Sequence, residues 1–396
     1  MLRRHAIRIG IFAMLVMVMG ACQCKQDVSP TPLPPTDIPP TPKPSQPLAF
    51  INARVDLDKG AGNCVVTGDV NGDSYIDALI STDGPGSTLW LNDGTGKFSL
   101  SDQGFKASTC AAFGDLNGDT SIDIFFTEGR SNQVWLNDGK GGFTNTGQKL
   151  VSFDSSSVAL GDLDSDGDLD AYVTVWSGQP DQIFLNDGKG NFTDSGQKLG
   201  KRYGSDVALG DVDADGDLDA LVSNNGEEKD NASALWLNDG QARFTESPQK
   251  LGPTNASAVA LGDLDGDSDL DAFIANSSHR GANPADKVWF NDGKGTFTDS
   301  GQSLGKSYSL SVELGDLDDD GDLDAFAGSW KETPHIWLND GKGKFTDSPL
   351  KLYSPNSDGI AFADVDGDGD LDVLASINTW DGGDGQHKLW LNQIYP

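Results

Sequence analysis

The hydrophobic positions of this chain fall in short β-type runs. Residues 158–160 (Val-Ala-Leu) lead into a cluster of aspartates, and residues 169–175 (Leu-Asp-Ala-Tyr-Val-Thr-Val) lead out of it. Both runs are too short and too β-branched for a pair of helices. A polar loop follows, and then a second signature, Trp-Leu-Asn-Asp-Gly ending in Phe. It occupies residues 90–98 and recurs, with small changes, at 135–143, 184–192, 236–244, 289–297 and 337–345. Asn-Asp-Gly between two aromatic-led runs signals a hairpin. The aromatic and Leu positions are dense enough to read as core packed between sheets. Each unit therefore predicts four strands: a run ending in Gly-Asp, the run after the aspartates, the Trp-Leu-Asn run and the Phe-Thr run.

The unit recurs with a period near fifty residues, which marks one structural module repeated. Seven modules of four antiparallel strands predict an all-β fold, a seven-bladed β-propeller. A solenoid would need polar caps at both ends, and the sequence shows none. The last unit stops at Trp390-Leu-Asn392 without its Phe-led strand. Residues 50–57 align with 98–105, so the N-terminal strand is expected to complete blade seven and close the ring. Closure removes the edges that an open stack would leave.

The aspartates follow the pattern Asp-x-Asp/Asn-x-Asp-x-x-x-Asp seven times. The third copy is the clearest, with Asp162, Asp164, Asp166, Asp168 and Asp170. The fourth has Asp211, Asp213, Asp215, Asp217 and Asp219. The fifth has Asp263, Asp265, Asp267, Asp269 and Asp271, and the sixth Asp316, Asp318, Asp320, Asp322 and Asp324. The seventh has Asp364, Asp366, Asp368, Asp370 and Asp372. The first two copies carry Asn at position three: Asp69, Asn71, Asp73, Tyr75 and Asp77, then Asp115, Asn117, Asp119, Ser121 and Asp123. Position seven can offer a backbone carbonyl. A hard cation of Ca²⁺ size takes six to eight oxygen ligands, so up to seven Ca²⁺ are expected. Cys and His are absent from the loops, which argues against zinc or copper. Position twelve is apolar or small rather than Glu, so these are not EF-hands. Position six is Gly in four copies, where a positive φ suits a sharp turn. The first two loops, with one charge fewer, are expected to bind most weakly.

These loops and blade signatures resemble FG-GAP/VCBS repeats, as in the propeller of integrin α-subunits, from about residue 49 to the C-terminus. The resemblance implies a seven-bladed propeller with Ca²⁺ in the loops joining the two innermost strands. It implies far less about function, because that family includes adhesion receptors, lectins and propellers attached to polysaccharide lyases.

Residues 1–21 read as a targeting segment. Arg3, Arg4 and Arg8 precede an apolar stretch too short to span a bilayer. It ends Met19-Gly-Ala-Cys22, which resembles a bacterial lipobox and implies acylation of Cys22; ordinary secretion with cleavage nearby is the alternative. Residues 22–47 hold Pro at high density and predict an extended tether, with the propeller from 48 to 396. The formal net charge is −33, and roughly half of the 61 acids lie in the loops. So acidic a chain argues against nucleic-acid partners and against membrane contact beyond the lipid anchor. Cys64 and Cys110 occupy equivalent positions in adjacent blades. Either a disulfide or two buried small residues is consistent with that placement.

The metal loops and the hairpins are expected on one face of the disc, leaving the variable loops on the other. Trp176 and Trp330 are equivalent positions there, as are Tyr203 and Tyr308. Trp380 lies in the matching region of blade seven. Such aromatics suit sugar rings or peptide side chains, while loop packing is the plainer reading of any one of them. His279, Arg280, Arg130, Asn224 and Asn225 are candidate polar contacts. Glu313 replaces the Val or Ala of other inner strands and points to a site near the axis or to a solvated channel residue. Three histidines in the mature chain and the absence of a Gly-x-Ser-x-Gly motif argue against an enzyme. The expectation is a surface-anchored, calcium-stabilised module that binds an extracellular protein or glycan. A carbohydrate-binding lectin is the alternative, and a lyase-type enzyme is less favoured.

Overall fold

The computed structural model describes residues 45–394 except 54–56, 58–59, 83, 227–231, 253–254, 278–283, 307 and 380–384. The targeting segment, Cys22 and most of the tether lie outside the described residues, as do Trp380, His279 and Arg280. Among the described residues there are strands and no helices, and hence no helix long and apolar enough to cross a membrane.

Seven antiparallel sheets form the ring. Their inner strands are Gly62–Gly68, Cys110–Gly114, Ser155–Gly161, Gly204–Gly210, Ala256–Gly262, Ser309–Gly315 and Ser357–Ala363. In blades one and three to six, chain order and spatial order agree from the inner strand outwards. Each inner strand packs beside the next, and that of blade seven lies against that of blade one. Blade two departs from the expected four strands: Leu150–Val151 adds a fifth by pairing with Ser131–Asn137.

Blade seven takes its fourth strand from the N-terminus. Phe50–Asn52 pairs antiparallel with Lys388–Asn392, Phe50 opposite Asn392. Phe98 stands opposite Asn92 in blade one in the same register. The start of the chain thus supplies the missing hairpin arm at its end.

The core lies between sheets. Seven clusters of buried apolar residues each span one pair of adjacent blades. Phe125 and Val134 of blade two meet Val158, Ala171 and Phe184 of blade three, for example. Blade seven meets blade one through Ala361, Val365 and Leu374 against Val65, Ala78, Ile80 and Trp90. A single blade has two apolar faces and cannot bury either alone, so stability comes from the closed array.

The Gly that ends most inner strands has a packing reason. A Cβ on Gly161 would meet Leu218 Cδ1 at 2.7 Å and Leu209 Cδ1 at 3.1 Å in the next blade. Blade seven has Ala363 there, facing blade one, whose residue in the place of Leu209 is the shorter Thr67. Cys64 and Cys110 form a disulfide between neighbouring inner strands, with Cα atoms 5.1 Å apart.

Deleting residues 50–57 is expected to expose the Lys388–Asn392 edge and cause aggregation in size-exclusion chromatography. A soluble monomer melting at the wild-type temperature would contradict closure by this strand.

Candidate metal centres and the variable face

Each aspartate loop turns between an inner strand and the strand beside it. Two loop positions carry positive φ in every copy, and the sequence reading anticipated only one. Where position six is not Gly, position four is: Gly72 precedes Ser74, with φ of 76° and 72°. Where position four is not Gly, position six is: Ser165 precedes Gly167, with φ of 63° and 94°. At least one of the two left-handed sites in each loop is thus relieved of a Cβ.

Position one folds the turn. Asp162 Oδ1 accepts from the Asp166 N–H at 3.1 Å and its Oδ2 from the Gly167 N–H at 3.0 Å. Position nine fixes the loop to its own blade. Asp219 Oδ2 accepts from the Val212 N–H at 3.2 Å and its Oδ1 from the Asn238 N–H at 2.8 Å. The same pair of bonds occurs at Asp77, Asp123, Asp170, Asp271, Asp324 and Asp372.

That asparagine then reaches the neighbouring blade. Asn238 Nδ2 donates to the Leu163 carbonyl of the preceding loop at 2.8 Å. Asn92, Asn137, Asn186, Asn291, Asn339 and Asn392 do the same to Val365, Val70, Leu116, Val212, Leu264 and Leu317. The staple runs round the whole ring. Sequence reasoning took this Asn as part of a hairpin signal only; its recurrence after every Trp-Leu or equivalent pair was the clue. Five glutamines add a second link. Gln249, for instance, accepts from Phe297 N–H at 3.0 Å and donates to Gly295 O at 2.7 Å in the next blade.

Carboxylates converge in five loops. Single oxygens of Asp162, Asp164 and Asp170 lie within 4.8 Å of one another. So do those of Asp211, Asp213 and Asp215, of Asp263, Asp265 and Asp271, of Asp316, Asp318 and Asp320, and of Asp364, Asp366 and Asp372. These clusters can hold a metal ion. The position-seven carboxylates Asp168, Asp217, Asp269, Asp322 and Asp370 join none of these groups. The two loops with Asn at position three form no such group among the described residues. In loop one Asn71 Nδ2 instead donates to Asp73 Oδ2 at 3.0 Å.

Position three gives the test of fit. Asp164, Asp213, Asp265, Asp318 and Asp366 each have a buried Oδ1 without a hydrogen-bond partner. A buried, unsatisfied carboxylate oxygen is costly. That it recurs in every loop with Asp at position three, aimed among other carboxylates, fits an oxygen-liganded cation. Burial, with neighbouring carboxylates second, raises the pKa of Asp164, Asp213, Asp265 and Asp366, and raises Asp318 to about 7. In loop two, by contrast, the Ser121 N–H holds Asp119 below the usual range.

Burial also raises position nine, against the pull of two N–H donors. Asp77, Asp123 and Asp271 rise to about 6, Asp170, Asp219 and Asp372 to about 7, and Asp324 to about 8. These folded values exceed the unfolded carboxylate range, near 4. The metal-free native state therefore binds more protons than the unfolded state between about pH 4 and pH 8. Stability in EDTA is predicted to fall as pH rises through that window, and a bound divalent cation to offset the loss. Urea titrations at pH 4.5 and 7.5, with EDTA or calcium, check this. Greater stability at the higher pH in EDTA would contradict it.

The variable face carries two aromatic pairs. Trp176, half-buried, meets Tyr203 edge-on with ring centroids 6.0 Å apart. Trp330, half-buried, packs on Tyr308 with centroids 4.7 Å apart. Tyr308 is 4% exposed, so it supports Trp330 rather than offering a surface of its own. Lys331 Nζ sits 4.2 Å from the Trp330 ring centroid. Glu313 is half-buried on its inner strand. Asn224 and Asn225 are buried and brace loops: Asn224 Nδ2 donates to Ala232 O at 3.0 Å, and Asn225 Nδ2 to Ser277 Oγ at 3.1 Å.

The FG-GAP-like repeat profile matches residues 69–126, 115–173, 172–222, 211–274, 263–327 and 316–375. No curated protein matches the chain. Solved structures show the same fold. BBS1N, crystallised with ARL6DN, superposes with a TM-score of 0.57 at 12% identity, over 88% of this chain and 98% of that one. An Agrocybe aegerita lectin that recognises non-reducing terminal N-acetylglucosamine gives 0.50 at 19% identity, over 73% of this chain and 79% of that one. The repeated loops, the blade signature and the matched residues together place this chain in the FG-GAP-like repeat family.

Proposed function

We propose that this propeller is a calcium-stabilised recognition disc, held outside the cell by an acylated Cys22 and a Pro-rich tether. Its ligand is an extracellular protein or glycan met by the variable face. The observation that carries the reading is the pair of equivalent tryptophans, Trp176 and Trp330, each held against a tyrosine above a rigid ring. A half-buried indole fixed from below presents an aromatic edge at little entropic cost, which suits a sugar ring or an apolar side chain.

Calcium is the cation of choice because the loops offer only oxygen and can exceed six ligands when backbone carbonyls and water join the carboxylates. Mg²⁺ keeps its waters and rarely fills such a protein cage. A ligand bound only by the native state stabilises it by mass action.

The lectin reading is the second one, favoured by the tryptophans. The fold does not choose between them: one structural neighbour is a lectin for N-acetylglucosamine, and another was crystallised with a protein partner. We read the chain as a binder rather than an enzyme, since its clustered acids are engaged in loop hydrogen bonds and cation sites, not paired for acid–base work.

Two measurements test the reading. Millimolar calcium is expected to raise the melting temperature over that in EDTA; equal melting would remove the stabilising role. Arrays of glycans and of surface-protein extracts, probed with and without EDTA, identify the ligand class. Trp330→Ala should weaken binding about tenfold or more while the melting temperature stays within a few degrees. Undiminished binding by both Trp330→Ala and Trp176→Ala would move the ligand site elsewhere.

A further inference from the structure

Loop six differs from its six counterparts. Position five is exposed in the other loops (Asp73, Asp119, Asp166, Asp215, Asp267, Asp368) but half-buried at Asp320. Asp319 at position four is half-buried where its counterparts are exposed. Asp318 is 2% exposed, and its Oδ1 has no hydrogen-bond partner. What covers this loop is the chain entering the closing strand. The Gln46 N–H donates to the Asp318 carbonyl at 2.8 Å. Leu48 and Phe50 pack on the cluster that contains Leu317.

The cause is the way the ring closes. In blades one and five the hairpin between the third and fourth strands lies over the preceding loop: Gly96 N–H reaches Val365 O at 3.0 Å, and Gly295 N–H reaches Val212 O at 2.8 Å. Blade seven has no such hairpin, since its third strand ends at Asn392 and its fourth begins at Phe50. Residues 45–49 take the hairpin's place and reach further, to position three.

We propose that residues 45–49 form a latch over loop six, and that cation binding at Asp316, Asp318 and Asp320 and docking of the latch stabilise each other. The inference rests on the calcium reading above. Docking excludes water from four consecutive or nearby carboxylates, Asp316, Asp318, Asp319 and Asp320. Without a cation that leaves buried negative charge uncompensated, which favours release of the segment. With a cation the charge is neutralised and the Leu48 and Phe50 contacts are retained. By linkage, whatever loosens the latch weakens the cation by the same factor. Of the seven loops, loop six alone would then control the strand that closes the ring, and through it the root of the tether. That root leaves the disc on the metal-loop face, away from Trp176 and Trp330.

The test uses the mature chain, calcium titration by calorimetry, and hydrogen exchange of the peptide 45–53. Asp318→Asn in millimolar calcium is expected to speed exchange of that peptide about tenfold, while Asp213→Asn in loop four leaves it within about twofold. Gln46→Pro, which removes the donor N–H, is expected to lower calcium affinity about tenfold at one site and leave the others unchanged. Equal exchange of 45–53 in the two Asp variants, each having lost one calcium, would overturn the latch and leave the calcium reading intact. So would unchanged calcium affinity in Gln46→Pro. Wild-type protein that binds no calcium would overturn both.

Discussion

The staple from position-nine Asp to Asn to the neighbouring loop carbonyl is the constraint on which the ring depends. The aspartate holds its own loop and the Trp-Leu-Asn strand through two backbone N–H groups, and the asparagine ties that order to the loop of the preceding blade. Each link is a buried hydrogen bond, worth about 1 kcal/mol net when made and more when left broken. Its larger effect is geometric. A loop's shape is fixed partly by the blade that follows it, so no candidate metal centre belongs to one blade alone.

The same arrangement places charge where water is scarce. Position nine is buried for its structural bonds, and in the five loops with Asp at position three one oxygen of that side chain is buried, where the carboxylates of positions one and three gather with that of position five or nine. The fold and the carboxylate clusters that could hold a cation are thus two consequences of one turn. The two loops with Asn at position three show the trade directly. In loop one the amide meets the position-five carboxylate from within, and neither of the two loops gathers three carboxylates among the described residues.

The two faces of the disc differ in kind. The metal-loop face repeats seven times because every staple is equivalent. The opposite face repeats far less among the described residues, though Trp176 and Trp330 with their tyrosines recur. Its residues take no part in the Asp-to-Asn staple, which leaves them freer to vary. Several of them, Asn224, Asn225 and Tyr308 among them, serve the loops, and no sequence pattern separates those from the two half-buried indoles.

By itself the sequence determined the propeller, the number of blades, the closing strand with its register and the positions of the aspartate loops. All of these are written in local signals that recur at a fixed period: alternation, hairpin residues, acid spacing. Tertiary structure decided what spacing cannot encode. It placed Asn238 against Leu163, some 75 residues away, left Asp164 Oδ1 without a donor, seated Tyr308 beneath Trp330, and laid Gln46 over Asp318. The contacts of Asn238 with Leu163 and of Gln46 with Asp318 join residues from different blades, and such contacts exist only once the ring has closed, because closure fixes which surfaces lose water and which charges must share a space.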